Sequence, residues 1–164
     1  MNVSLSKRGD YVMRAAICLA RSFESGEPVK IREVSSLAEI PVNFTPQVLS
    51  DLVRSGLAIS RAGRSGGYWL ARSPDQISVL DVIEAGEGEI HSDRCAMGNG
   101  PCRWNDVCPM HEAWRGALTA FRSGLKVSSL AQVAERDKQL EQGTYDIPED
   151  SHRRIHAVAE IVAD

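Results

Sequence analysis

Three of the four cysteines in this 164-residue chain fall within fourteen positions, in the run Cys95-x6-Cys102-x5-Cys108-x2-His111. Three thiolates and an imidazole on one short stretch suit a soft metal centre. Thiolate sulfur bonds covalently to ferric and ferrous iron, and a glycine-rich loop can bend to meet several corners of a cluster. Zinc is the competing ion, but zinc sites favour Cys-x2–4-Cys pairs and neither cysteine gap here is that short. An even cysteine count in a secreted chain would suggest disulfides, whereas clustered cysteines in a reducing compartment mean metal or redox chemistry. Cys18 stands apart among Ala and Ile residues and reads as a packing residue.

A second set of residues suits phosphate. Arg61-Ala62-Gly63-Arg64-Ser65-Gly66-Gly67 combines two charges with glycines that let the backbone turn sharply and approach a ligand closely. The net charge of the chain is −3, but it is unevenly spread. Residues 1–80 carry ten Lys/Arg against seven Asp/Glu, and residues 81–164 carry nine against fifteen. From Asn43 to Pro74 there are four Arg and one Asp. Such a local basic patch can hold a nucleic-acid backbone on an acidic protein, because screening makes the near field matter more than the total.

The elements that must position these residues follow from periodicity. Residues 4–23 carry Val12, Ala15, Ala16, Leu19 and Phe23 at helical spacing. A second helix is expected from about Ile31 to Ala38, broken at Ile40-Pro41. A third starts at Thr45-Pro46, with Thr45 as N-cap, buries Val48, Leu49, Leu52 and Val53, and stops at Gly56. Two short helices joined by a tight turn form a helix-turn-helix. Leu57–Ser60 and Tyr68–Ala71 read as strands around the arginine- and glycine-rich tip, which makes a wing. Ser78 to Ala85 is another short helix, and Gly86 to Asn105 is a loop containing two of the cysteines.

Cys108-Pro109 opens a long helix on which Trp114, Leu118, Phe121 and Leu125 alternate at four, three and four. That spacing is a coiled-coil-like seam, expected to pair with a second copy of the chain. Ser129 with Gln132 resembles a capping box for a helix through about Leu140. The fold class expected is mainly α with a small β-wing: a winged helix-turn-helix domain (1–86), a cluster-binding loop (87–108), dimerisation helices (109–142), and a C-terminal linker and amphipathic helix (143–164).

This frame puts forward Arg32, Asn43, Phe44, Thr45, Gln47, Arg54, Arg61, Arg64, Ser65 and Gly66 as DNA-facing residues. Asn and Gln suit adenine edges, and the wing arginines suit phosphate. The longest apolar run, Ala15 to Ala20, is flanked by Arg14 and Arg21 and is too short for a membrane span, and no signal peptide is visible, so a cytoplasmic location is expected. Nothing supports substrate chemistry: there is no nucleotide-binding glycine loop, no carboxylate pair in an apolar context and no nucleophile elbow. Two rivals remain at this stage, a metal-free thiol redox switch and an iron–sulfur electron carrier, though an electron carrier has no use for a wing.

The chain resembles the IscR/NsrR/RirA family of bacterial winged-helix regulators over roughly residues 4–140. The resemblance rests on Leu5-Ser-Lys-Arg-Gly-Asp-Tyr11, on Gly63-Arg-Ser-Gly-Gly-Tyr68 in the wing, and on the three-cysteine loop ending in Cys108-Pro-Met-His111-Glu-Ala-Trp114. It implies a homodimeric transcriptional regulator, most often a repressor, that binds an inverted-repeat operator. It also implies a 2Fe–2S or 4Fe–4S cluster whose state responds to iron supply, nitric oxide or redox stress. NsrR-type members place an aspartate ligand where Asp10 stands, and IscR places a histidine ligand where His111 stands. Pro46 falls where many relatives have a non-proline residue.

Overall fold

Ser6 starts the first helix: its hydroxyl accepts from the Gly9 N–H (3.1 Å), and α1 runs Lys7–Arg21. The structure, a computed structural model, describes residues 4–90, 104 and 108–148. α1 is shorter at both ends than its apolar pattern, because Ser6 caps it and Phe23–Ser25 winds into a separate 3₁₀ turn. Its buried face is Val12, Ala15, Ala16 and Leu19. α2 (Ile31–Leu37) and α3 (Thr45–Arg54) follow, joined by a turn in which the buried Ser35 hydroxyl donates to the Ile40 carbonyl at 2.7 Å.

Thr45 is not the N-cap of α3. Phe44 holds that place with helical backbone angles, so the turn continues back to Pro41, whose carbonyl accepts from the Phe44 N–H (2.9 Å), the Thr45 N–H (3.2 Å) and the Thr45 hydroxyl (3.2 Å). A capping hydroxyl needs an extended residue ahead of the helix, and this turn provides none.

β1 (Ala58–Arg61) and β2 (Gly67–Leu70) pair antiparallel, with Ala58 opposite Leu70 and Arg61 opposite Gly67. Arg61 and Gly67 thus belong to the strands, not the tip. An isolated bridge from Val29 to Tyr68 backs the hairpin. α4 (Val79–Glu87) carries a capping box between Ser78 and Asp81. α5 (His111–Val127) begins three residues later than Cys108, after a turn closed by the His111 N–H on the Cys108 carbonyl (2.9 Å). α6 (Leu130–Gln142) has the expected Ser129–Gln132 capping box. The last amphipathic helix, expected over 151–163, lies outside the described residues.

One core unites these elements apart from α5, with Leu19, Leu49, Leu52, Ile77 and Leu130 fully buried. α6, grouped with α5 as a dimerisation helix by the sequence, packs on α1 and sends Leu130 and Ala134 into this core. Arg21 of α1 reinforces the contact through ion pairs with Asp137 (2.9 Å) and Glu141.

α1 also packs on α4, at a point where two glycines meet. A Cβ built on Gly86 would lie 2.9 Å from the Gly9 Cα and 3.2 Å from the Val12 Cβ, so the helices must separate to accept one. Ala gains about 1 kcal/mol over Gly in helix propensity. Overpacking costs about 1–3 kcal/mol. Gly86→Ala is therefore expected to lower the stability by about 1 kcal/mol net, read as a fall in the urea midpoint at unchanged slope. An unchanged or raised midpoint would show that this crossing yields freely.

Candidate nucleic-acid interface and cysteine segment

α3, the second helix of the helix-turn-helix, is tied to α1 by one acidic residue. Asp51 is buried (2% exposed), and its carboxylate accepts from Arg8 Nε at 2.7 Å, from Gln47 Nε2 at 3.1 Å and from Arg54 Nη2 at 2.8 Å. Burial by itself would push this carboxyl up. The hydrogen bonds from Arg8 and Gln47 and the charges of Arg8 and Arg54 outweigh it and hold the group below its ordinary 3.8.

Asp51 was not among the sequence candidates. Its signal is that it is the single acidic residue in a basic stretch, four after Gln47 and three before Arg54. Its partner Arg8 is 43 residues away, which no local pattern reveals.

Around this anchor, Arg32, Asn43, Phe44, Gln47 and Arg54 are exposed, and Phe44 rests against Tyr11 with ring centroids 6.2 Å apart. Thr45, expected on the DNA-facing side, is fully buried and commits its hydroxyl to Pro41. The outer face of the turn is carried by Asn43, Phe44 and Gln47 instead.

In the wing, Arg61, Arg64 and Ser65 are exposed. Gly66 is buried, and a Cβ there would lie 2.1 Å from the Arg61 carbonyl oxygen, so the tip closes only with glycine at this position. Lys30, also absent from the sequence candidates, reaches from the start of α2 to the tip carbonyls.

Of the proposed metal donors, Cys108 is half-buried just ahead of α5, and His111 is exposed at its first residue. Cys95 and Cys102 lie outside the described residues. Asp10 pairs with Arg14 one turn along α1 at 3.0 Å. Among the described residues no group of three or more His, Cys, Asp or Glu could hold a metal ion. Cys18 is buried in the core, and burial, partly opposed by Arg21, pushes its thiol up to about 11.

Hydrogen bonds and an ion pair fasten Ile90, the last described residue before the cysteines, to α4 and α5. Ile90 donates its N–H to Glu84 Oε1 at 3.0 Å, and Arg122 of α5 binds both that carboxylate and the Ile90 carbonyl. At the other side of α4, Glu87 Oε1 accepts from the Ser6 N–H at 2.7 Å. The start of α1 and the end of α4 therefore lie together where the chain departs for the cysteines. The seam on α5 is only half covered: Trp114, Leu118 and Leu125 are half-buried, Phe121 is 41% exposed, and α5 has no fully buried residue.

Residues 5–136 match the model of the Rrf2 family, described as an iron-dependent transcriptional regulator. The chain belongs to the Rrf2 family. Similar curated proteins are the HTH-type transcriptional regulators IscR of Salmonella agona strain SL483 and of Salmonella newport strain SL254, each 32% identical over 158 residues, covering 94% of this chain and 95% of the relative.

Among solved structures, CymR of B. subtilis, titled the global cysteine regulator, superposes with a TM-score of 0.66 at 25% identity over 82% of this chain and 98% of that one. IscR of T. potens superposes at 0.65 over 90% and 96%, and at 24% identity it speaks to the fold alone. As an Rrf2 protein with a winged helix-turn-helix, this chain is a DNA-binding transcriptional regulator and not an enzyme. None of its described helices is long and apolar enough to cross a membrane.

Proposed function

We propose that this Rrf2 protein is a homodimeric repressor whose operator binding is controlled by an iron–sulfur cluster held by Cys95, Cys102 and Cys108, with His111 as the fourth donor. The observation that carries this reading is the pairing of Cys108 with His111 at the head of α5, in a family described as iron-dependent. The donor set fits: thiolates are soft ligands, imidazole suits iron, and a non-thiolate donor leaves one iron more labile than the rest. When bound, the cluster supplies a redox- and nitric-oxide-sensitive ligand for the loop. The DNA face comprises Asn43, Phe44 and Gln47 on the turn and α3, Arg32 and Arg54 beside them, and Arg61, Arg64 and Ser65 in the wing, whose tip the buried Gly66 closes.

The chain's own residues supply a route from the cysteine segment to DNA. Arg122 and Glu84 clasp Ile90, α4 meets α1 at Gly86 and Gly9, and Arg8 of α1 grips Asp51 beneath Gln47. Ordering or releasing the segment biases two arrangements of this stack, which is a ligand-shifted equilibrium. Asp10, engaged with Arg14, is the alternative fourth donor.

Anaerobic purification followed by absorbance and Mössbauer spectroscopy tests the cluster, and a gel shift of holo and apo protein on the region upstream of the chain's own gene tests its control of binding. The Ser variants of Cys95, Cys102 or Cys108 are expected to lose the cluster. His111→Ala is expected to alter the spectrum and speed cluster loss in air, while Asp10→Ala changes little. A spectrum perturbed by Asp10→Ala alone reverses the fourth-ligand assignment and favours nitric-oxide sensing. A colourless protein whose DNA binding follows reversible thiol oxidation would make it a metal-free switch.

A further inference from the structure

Lys30 links two elements with different duties. Its backbone N–H donates to Glu33 Oε2 at 2.7 Å at the start of α2. Its ammonium donates to the carbonyl of Arg64 at 2.9 Å and to the carbonyl of Gly66. Residues just before it already back the hairpin: Val29 and Tyr68 exchange two backbone hydrogen bonds of 3.0 Å, and Trp69 Nε1 donates to the Gly26 carbonyl at 3.0 Å. The tip itself adds the Gly66 N–H on the Gly63 carbonyl at 3.1 Å.

We propose that Lys30 is a positioning residue for DNA binding: by gripping the Arg64 and Gly66 carbonyls it turns the Arg64–Ser65 peptide so that the Ser65 N–H faces outward to receive a phosphate oxygen. In a trans peptide the C=O and the following N–H point in opposite directions. The Arg64 carbonyl is directed at Lys30, so the Ser65 N–H is directed away from it. Among the described residues that N–H has no hydrogen-bond partner, and Ser65 is exposed. Backbone N–H groups are common phosphate donors, and they set the register of a protein on the duplex. An ammonium–carbonyl bond is charge-assisted and outlasts a neutral one, which suits a tether at an exposed tip.

The inference rests on the reading of the wing as a DNA contact, so the test separates the two. The probe is a labelled duplex enriched from a random library by the wild-type chain. Lys30→Met, which keeps the aliphatic reach and removes the donors, is expected to weaken binding on the order of tenfold, the worth of one charge-assisted hydrogen bond. In a Ser65→Pro background, which lacks the N–H that Lys30 would position, the same change is expected to cost about threefold or less, because the donor it aims is already gone. Lys30→Met is also expected to speed tryptic cleavage after Arg61 and Arg64 in the free protein.

Equal costs in the two backgrounds would mean that Lys30 touches phosphate itself, and the positioning role would fall. Unchanged affinity or unchanged cleavage would also overturn it. A wild-type chain that enriched no duplex would sink the DNA reading of the wing, whereas the tryptic rates would still judge the tether.

Discussion

Leu118→Glu combined with Phe121→Glu is expected to convert the protein to a monomer that keeps its helices and binds operator DNA poorly. α5 is seventeen residues long and has no fully buried residue, although Trp114, Leu118, Phe121 and Leu125 repeat along one stripe. Three of these four side chains are only half-buried and Phe121 is exposed, so covering the stripe gains part of the roughly 1.5–3 kcal/mol that full burial of each would bring. In the proposed dimer a second copy of α5 would cover it symmetrically. Two carboxylates per protomer would face their counterparts across the two-fold at close range.

The monomer also loses the simultaneous engagement of two half-sites, so affinity is expected to fall by on the order of a hundredfold or more. Sedimentation gives the mass, circular dichroism the helix content, and a gel shift the affinity. A sedimentation run showing an intact dimer would remove α5 as the interface.

Asp51→Ala is expected to destabilise the fold by about 2 kcal/mol and to weaken operator binding. The substitution leaves a void beneath α3 and deprives Arg8, Gln47 and Arg54 of their common acceptor. Arg8 and Arg54 keep 51% and 65% of their side chains in water, so they can rehydrate, and the cost stays below that of a fully buried pair.

The pH dependence has a definite sign. A carboxyl held below its unfolded pKa contributes stability that is complete above the ordinary carboxylate range and drains away as pH falls through that range to the lower folded value. The stability gap between wild type and Asp51→Ala should therefore be constant near neutrality and narrow below about pH 4. Urea unfolding at several pH values measures it, and a gap unchanged between pH 7 and pH 3 would show that the charge of Asp51 contributes nothing.

The parts of this molecule legible in its sequence are those set by near neighbours. Val48, Leu49 and Leu52 mark the inner face of α3, and Ser129 with Gln132 marks the start of α6, because helical spacing and capping are local. Thr45 shows the limit. Its residue type suits a cap, but the Pro41 turn ahead of it decides its role, and that depends on backbone angles the residue type does not carry.

The ties that make the site were hidden for a different reason. Arg8 with Asp51, Lys30 with the wing and Arg122 with Ile90 join residues more than thirty positions apart, through charges that also read as ordinary surface charges. Leu130 is a similar case: the α5 seam draws attention to dimerisation, while the following helix returns to the core.

The burial of Cys18 has a consequence for how the protein meets oxidants. Only a thiolate attacks peroxide, disulfides or nitrosating agents at useful rates. With its thiol pushed up to about 11 and its side chain closed off in the core, Cys18 remains protonated and out of reach at neutral pH. In the proposed cluster mechanism, thiol oxidation would fall on Cys95, Cys102 and Cys108 and spare Cys18. The interior beneath α3 carries a sulfur atom yet stays chemically insulated, so under the proposed mechanism an oxidant would alter the cluster ligands and leave the packing that supports α3 intact.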